Sequence, residues 1–290
     1  MPALTAHDSY AASAKPLAER DYVRLSEFIR SLCGIKMPPA KRVMLEARLQ
    51  KRIRLLGLPT LREYCEYLFS EQGGPEELAH FIDAVTTNKT DFFREPGHFH
   101  VLDQTVLPEF ILENAGRPLR TFSVWSAGCS SGEEPYTLAM VLADFAGGHQ
   151  GFRYSILGTD ISGRVLEKAR LAIYDREQAA PVPFFLQQKY LLRSRDREKG
   201  LMRVAPELRA QVAFRKLNLM DRHYGIEEPM DAVFCRNVII YFDRETQGKL
   251  LERLCRHVRP GGYLFLGHSE TVHGFDLPLV RVNSTIYRKK

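Results

Sequence analysis

The chain has 290 residues, 44% of them hydrophobic, which is enough for a sizeable core and for two domains. A net charge of +6 and a pI near 9.0 favour an acidic partner without identifying it. No apolar run is long enough to span a bilayer and the first twenty residues lack an apolar signal core, so a soluble, intracellular protein is expected. Cys33, Cys65, Cys129, Cys235 and Cys255 form no CxxC pair; they read as reduced buried thiols, with neither a disulfide framework nor a metal-ligand set.

Residues 1–17 are rich in Ala and Ser with little hydrophobic pattern, and a mobile tail is expected there. From Asp21 the residues Tyr22, Leu25, Phe28, Ile29 and Leu32 recur at helical intervals until Gly34. A second helix is predicted after Pro38-Pro39. Its stripe of Leu45, Leu49, Ile53 and Leu56 can face a core while Lys41, Arg48, Lys51 and Arg52 gather on an adjoining face. Such a face is either a solvated surface or a dock for an acidic partner. No aromatic residue interrupts it to stack a base, which speaks against nucleic acid. Helices predicted over 61–69 and 76–85 complete an all-helical domain spanning 18–85.

TTNKTDFFRE, residues 86–95, crowds Asn88, Thr90 and Arg94 together just ahead of a glycine-rich unit. It is either a capping turn or a loop that folds over the next domain's ligand. A helix is predicted over 97–114 with Phe99, Leu102, Val106 and Phe110 inward, so that 86–115 reads as linker and connecting helix. TFSVWSAGCSSGEEPYTLAMVL, from Thr121 to Leu142, then predicts a buried strand, a turn at Gly128 and Gly132, and a helix. That is the usual first unit of an open α/β sheet, whose ligand lies beyond the strand ends. The turn has neither the Lys of a phosphate loop nor GxGxxG spacing. Glu133 and Glu134 open the helix instead; they suit its dipole but would repel a pyrophosphate. A cationic nucleoside-like ligand such as S-adenosylmethionine fits better, unless both glutamates only cap the helix.

A second strand, 152–158, ends at Thr159-Asp160, where nucleotide-binding sheets hydrogen-bond a ribose diol; Asp160 could equally cap the helix predicted over 162–172. Residues 174–210, with three prolines, Phe184-Phe185 and the basic run RSRDREKG, read as an inserted hairpin or subdomain. The sheet resumes at 212–214 and delivers Asn218 and Leu219. A strand over 231–235 ends in Arg236 and Asn237, followed by VIIYF with Tyr241. Asp243 is the predicted N-cap of a helix through Leu254, Gly261-Gly262 and YLFLGHSE form a fifth strand, and 279–288 supplies one or two last, antiparallel strands.

With these pieces placed, the sequence closely resembles the chemotaxis receptor methyltransferases, the CheR family. The matching stretches are TTNKTDFFRE, VWSAGCSSGEEPYTLA, GTDIS, FRKLNLM, FCRNVIIYFD and GGYLFLGHSE, in family order. The resemblance implies a Rossmann-like S-adenosylmethionine-dependent methyltransferase sheet over 116–290, with a small inserted β-subdomain and an all-α N-terminal domain before it. It implies methyl transfer to glutamates on the cytoplasmic helices of chemoreceptors, with S-adenosylhomocysteine as product. Carried over by position, Asn88, Thr90, Arg94, Gly128, Glu133, Asp160, Asn218, Leu219, Arg236 and Asn237 would bind the cofactor. Arg94 and Tyr241 would lie nearest the reacting methyl, and Lys41, Arg48, Lys51 and Arg52 would grip the receptor. In some members the subdomain tethers a C-terminal receptor pentapeptide; the basic tip of this one differs from that pattern. The resemblance further implies a cytoplasmic enzyme recruited to receptor arrays, with no metal, nucleic-acid partner or membrane insertion. The rival readings are a methyltransferase for nucleic acid or a small molecule, without the [DN]PP[YF] signature, and a non-catalytic receptor-binding module.

Overall fold

Four helices open the computed structural model, which describes residues 17–196 and 198–290: α1 (Glu19–Cys33), α2 (Arg42–Leu56), α3 (Leu61–Leu68) and α4 (Gly73–Val85). The tail expected over 1–17 lies outside the described residues except for Leu17, which is buried and donates its N–H to Glu46 Oε1 at 3.0 Å. A 3₁₀ turn over Pro39–Lys41 leads into α2, because proline's fixed φ suits a first turn that needs no N–H donor. The stripe of Leu45, Leu49 and Ile53 is buried as its spacing predicts, and Gly57 ends the helix in the left-handed conformation at φ 67°. Thr60 caps α3 by accepting the Glu63 N–H at 3.2 Å.

The chain divides into two units: the described residues up to Leu32 together with Lys36–Thr86, and Cys33–Ile35 together with Thr87–Lys290. In the second, the helix predicted over 97–114 is α5 (Gly97–Val101) and α6 (Leu107–Glu113), joined by a π turn over Leu102–Val106. Pro108 lacks an N–H and its ring crowds the carbonyl four residues back, and the wider turn just before it accommodates both. Then come β1 (Phe122–Ala127), α7 (Glu133–Gly148), β2 (Tyr154–Asp160), α8 (Gly163–Leu171) and the excursion β3 (Ile173–Asp175), α9 (Arg176–Ala179), α10 (Phe184–Tyr190), β4 (Leu191–Arg193), β5 (Leu201–Val204) and α11 (Pro206–Arg209). The remainder is β6 (Val212–Lys216), β7 (Met230–Cys235), α12 (Arg244–His257), β8 (Val258–Leu266), β9 (Leu279–Asn283) and β10 (Ile286–Lys289).

Seven strands form one sheet in the order β6-β2-β1-β7-β8-β10-β9. The first five are parallel, and β10 runs antiparallel to both its neighbours. Successive strand residues go to opposite faces, so the sheet builds two cores. Val124, Ala232, Phe234, Tyr263 and Phe265 pack with Phe99, Leu102, Val106 and Phe110 on one side. Trp125, Val233, Cys235, Leu264 and Leu266 pack with Leu250, Leu251 and Leu254 of α12 on the other. Truncating one of these α12 leucines to Ala would cost about 2–5 kcal/mol. Asp243 caps α12 through the Thr246 N–H at 2.9 Å, as its position predicts. The excursion closes a separate antiparallel sheet, β3-β5-β4, which is the inserted β-subdomain. All five cysteines are free and buried, and burial raises each thiol well above its usual range, so none is poised as a nucleophile.

Candidate active site

Strand order reverses between β1 and β7, and in open α/β sheets the crevice beyond the carboxyl ends of such a pair holds the ligand. The turn leaving β1 is built for close approach. Gly128 sits at φ +84°, and a Cβ there would stand 2.6 Å from Val238 Cγ2, so glycine lets the turns after β1 and β7 meet. The Gly128 and Cys129 N–H groups both donate to the Thr159 carbonyl, at 2.8 and 2.9 Å, which pins this turn to the end of β2.

Four acidic groups line this edge, each held differently. Glu133 is 2% exposed. It accepts from Ser131 Oγ at 2.8 Å and from Gln178 Nε2 at 3.5 Å, and makes no ion pair among the described residues. Burial pushes its carboxyl up to about 7, against the Ser131 bond. Glu134 accepts from Ser126 Oγ at 2.7 Å and Arg236 Nη1 at 3.0 Å. The N-cap of α7 is Gly132, which makes no side-chain cap, and both glutamates lie in the first turn of the helix. Asp160 accepts the Ser130 N–H on Oδ2 and the Ser162 N–H on Oδ1, both at 2.9 Å. Ser162, not Asp160, caps α8. Glu270 is buried and takes the N–H groups of Asn237, Val238, Ile239 and Gly267 at 2.6–2.9 Å. Burial raises its carboxyl while those bonds oppose the rise.

Arg236 is the hub. Its side chain is 2% exposed and pairs with Glu95 Oε2 at 3.1 Å and Glu134 Oε2 at 3.0 Å. It also donates to the Arg94 carbonyl and lies over the Phe99 ring. Sequence position placed it in a cofactor set, yet the guanidinium faces these protein partners and braces the 88–95 loop against the sheet edge. That loop is held again where Ser130 Oγ donates to the Asn88 carbonyl at 2.8 Å and the Phe93 N–H donates to Thr137 Oγ1 at 3.1 Å. Thr90 is half-buried within it, and Arg94 Nη1 rests on the Lys89 carbonyl at 3.2 Å. Asn237 donates its side-chain amide to Glu95 Oε1 at 3.4 Å. Asn218 Oδ1 accepts the Met220 N–H at 2.9 Å, and the Leu219 carbonyl accepts from Tyr224 Oη at 2.8 Å. Tyr241 is half-buried in the 3₁₀ turn Ile239–Tyr241.

Among the described residues five non-glycine positions have positive φ, and four of them, Phe93, Glu95, Ser130 and Asn237, are at this edge. Strained backbone gathers where a ligand must be met at a set distance. Glu95 and Glu270 are the participants that sequence reading missed, and of the acidic pair it singled out, Glu134 is the one that meets Arg236. Glu95 adjoins Arg94 and Glu270 lies in GHSE; chain order alone cannot say which of two neighbouring carboxylates turns towards a buried arginine.

The helical unit, taken by itself, divides the four basic residues. Arg52 makes a two-pronged ion pair with the buried Glu77, at 2.8 and 2.6 Å, and Tyr64 Oη donates to the same carboxylate at 2.9 Å. Arg48 donates to the Val85 and Thr86 carbonyls past the end of α4. Lys41 is half-buried near the Lys36 carbonyl, and Lys51 is exposed. The predicted basic face is therefore narrower than its helical spacing suggests.

A doubly wound sheet with an acidic switch point, Asp160 at the end of β2 and no lysine in its glycine turn fits one class, the S-adenosylmethionine-dependent methyltransferases. Two family models give the particular assignment: "CheR methyltransferase, SAM binding domain" matches residues 88–288, and "CheR methyltransferase, all-alpha domain" matches residues 20–86. The chain belongs to the CheR methyltransferases. It is 40% identical over 271 residues to the chemotaxis protein methyltransferase of Escherichia coli, covering 93% of this chain and 91% of that one. It is 37% identical over 288 residues to chemotaxis protein methyltransferase 2 of Pseudomonas aeruginosa, covering 99% of both. Against the solved structure of PKMT2 from Rickettsia typhi in complex with AdoHcy it shows 18% identity and a TM-score of 0.32, covering 62% of this chain and 26% of that one, too slight a likeness to bear on the assignment. The residues present fit the cofactor: Glu133, a buried carboxyl with no ion pair among the described residues, suits a ligand ammonium, and Asp160 sets a carboxylate at the end of β2. Among the described residues no helix is long and apolar enough to cross a membrane.

Proposed function

We propose that this enzyme methylates glutamate side chains on the cytoplasmic helices of chemoreceptors, forming methyl esters. The relatives' description as chemotaxis protein methyltransferases supports the setting. The observation that supports the chemistry is Glu133, buried at the switch point with no ion pair among the described residues, which suits a cationic donor. When bound, S-adenosylmethionine supplies an electrophilic methyl group. A glutamate carboxylate, with an ordinary pKa of about 4.3, is already the nucleophile at neutral pH, so no residue here need act as a general base.

The chain's work is then to bind, orient and exclude water. Glu133 holds the ligand ammonium and Asp160 the ribose, with Gly128 leaving room at the turn. Asn218, Leu219, Arg236 and Asn237 shape the remaining wall, Arg236 by holding it together. Asn88 and Thr90 belong to a loop whose closure shields the site. Arg94 is the orienting group for the incoming carboxylate, a task its planar fork suits. Tyr241 shapes the pocket without a proton role. Lys51 and Lys41 contact the acidic receptor helix, while Arg48 and Arg52 hold α2 in shape behind them. The exposed edge strand β4, with Leu192 outward and Phe184 and Phe185 exposed nearby, supports strand addition by a receptor C-terminal pentapeptide. Such contacts would recruit a cytoplasmic enzyme to receptor arrays.

The test is to incubate the enzyme with methyl-labelled cofactor and receptor cytoplasmic domains. Label should enter receptor protein and leave as volatile methanol in base, as an ester does. Alkali-stable label in nucleic acid or a small molecule would replace this reading with the first rival, and binding without transfer with the second.

A further inference from the structure

Behind the Arg236 brace lie two histidines that the methyl-transfer chemistry does not use, both facing the brace's own Glu95. His98 is 3% exposed, and its Nε2 lies 2.9 Å from Thr285 Oγ1. Its Nδ1 is buried with no hydrogen-bond partner. That atom stands 3.6 Å from Glu95 Oε2, and the same oxygen is 4.0 Å from Nε2 of His268, whose side chain is 61% exposed. The three ligand atoms all lie within 4.8 Å of one another, and the two imidazole rings are nearly perpendicular at 84°. Donors around a tetrahedral zinc-class ion, at metal–ligand distances of about 2.0–2.2 Å, stand roughly 3.3 Å apart, so a movement of about 1–1.5 Å by the exposed His268 would complete the set.

We propose that Glu95, His98 and His268 form a binding site for a divalent ion of the zinc or cobalt class, with a fourth position open on the exposed side. Two imidazoles and a carboxylate select such borderline ions over the harder magnesium or calcium. In the tautomer that binds a metal, His98 Nε2–H donates to Thr285 Oγ1 and the Nδ1 lone pair faces the ion, the outer-shell arrangement that metal-bound histidines generally show. Local charge permits a cation: Glu95 and Glu134 outweigh Arg236 by one. Glu95 Oε2 has two lone pairs, one for Arg236 and one for the ion, so occupancy is coupled to the brace that holds Arg94.

The experiment titrates the tag-free full-length chain with cobalt(II), read by visible absorption, and with zinc(II), read by calorimetry. No methyl donor is present, so failure here leaves the methyl-transfer reading untouched. One equivalent should give a cobalt band that zinc bleaches. His268→Ala, a change at an exposed side chain, should abolish the band, and Thr285→Val should weaken binding by about ten- to a hundredfold with unchanged circular dichroism. Absence of a band in the unmodified chain, or equal affinity in His268→Ala, would overturn the proposal.

Discussion

Strand β7 carries a buried ionic cluster at each end, and the two are opposite in polarity. At its amino end the carboxylate of Asp231 accepts from Arg120 Nη1 at 2.7 Å and the Ser123 N–H at 2.8 Å, and forms an ion pair with Arg259 Nε at 3.0 Å. Just past its carboxyl end the guanidinium of Arg236 is enclosed by Glu95 and Glu134. The lower cluster staples neighbouring parts of the sheet, and its arginines are about a quarter to a third exposed, so water shares their charge. The upper cluster binds a loop and a helix start to the sheet where ligand chemistry belongs. Its partners are almost dry and its excess charge is negative. A carboxylate held by two arginines stabilises; an arginine held by two carboxylates at a switch point also prepares a field for a cation.

Breaking each cluster from its centre tests that contrast most strongly. Arg236→Met leaves two enclosed carboxylates without their counter-charge and should cost about 3–5 kcal/mol. Asp231→Asn frees arginines that reach solvent and should cost less, about 1–3 kcal/mol. Denaturant melts give both figures. Cofactor affinity below the melting range should collapse in the first variant and hold in the second; equal losses would erase the distinction.

Next in size is Arg94→Ala. The main-chain carbonyl that accepts from Arg236 survives this change, so the fold should hold while turnover falls about a hundredfold, a cost typical of a misplaced reactant. Separate measurements of kcat and cofactor affinity decide it, and intact turnover would remove Arg94 from the mechanism.

Glu133→Gln should weaken cofactor binding about tenfold at pH 8. The sign follows from its raised pKa. The free protein favours the protonated carboxyl, so this group's contribution to stability declines as pH rises from the unfolded value towards about 7. A cationic ligand favours the ionised form, so affinity should rise over that window and level off above it. The Gln variant should lose this slope and melt slightly higher at pH 8 when free; calorimetry against pH reads both effects. The smallest expected change is Tyr241→Phe, with turnover within about twofold of the parent, because carboxylate attack needs no phenolic proton.

Much of the architecture is local and hence legible in order along the chain. Leu45, Leu49 and Ile53 announced the buried stripe of α2, Asp243 the cap of α12, and Gly128 and Gly132 a turn, which both take at positive φ. The π turn before Pro108 was not legible as such, because the same apolar spacing suits a regular helix until the ring is placed. Nor was the division of labour on α2. Helical spacing put Arg48 and Arg52 beside Lys51 but gave no sign of Glu77 or the α4 carbonyls that engage them.

Periodicity, turn residues and the family motifs thus determined the helical unit, the parallel sheet, the inserted β-subdomain and the kind of ligand, since these follow from neighbours within a few residues. Tertiary structure alone decided that Arg236 braces the protein from within, that Glu95 and Glu270 join the site, that Glu134 is the glutamate of its pair that meets Arg236, and that His98 meets His268. Those outcomes depend on which polar groups find partners once water is excluded, and the partners come from segments far apart in the chain.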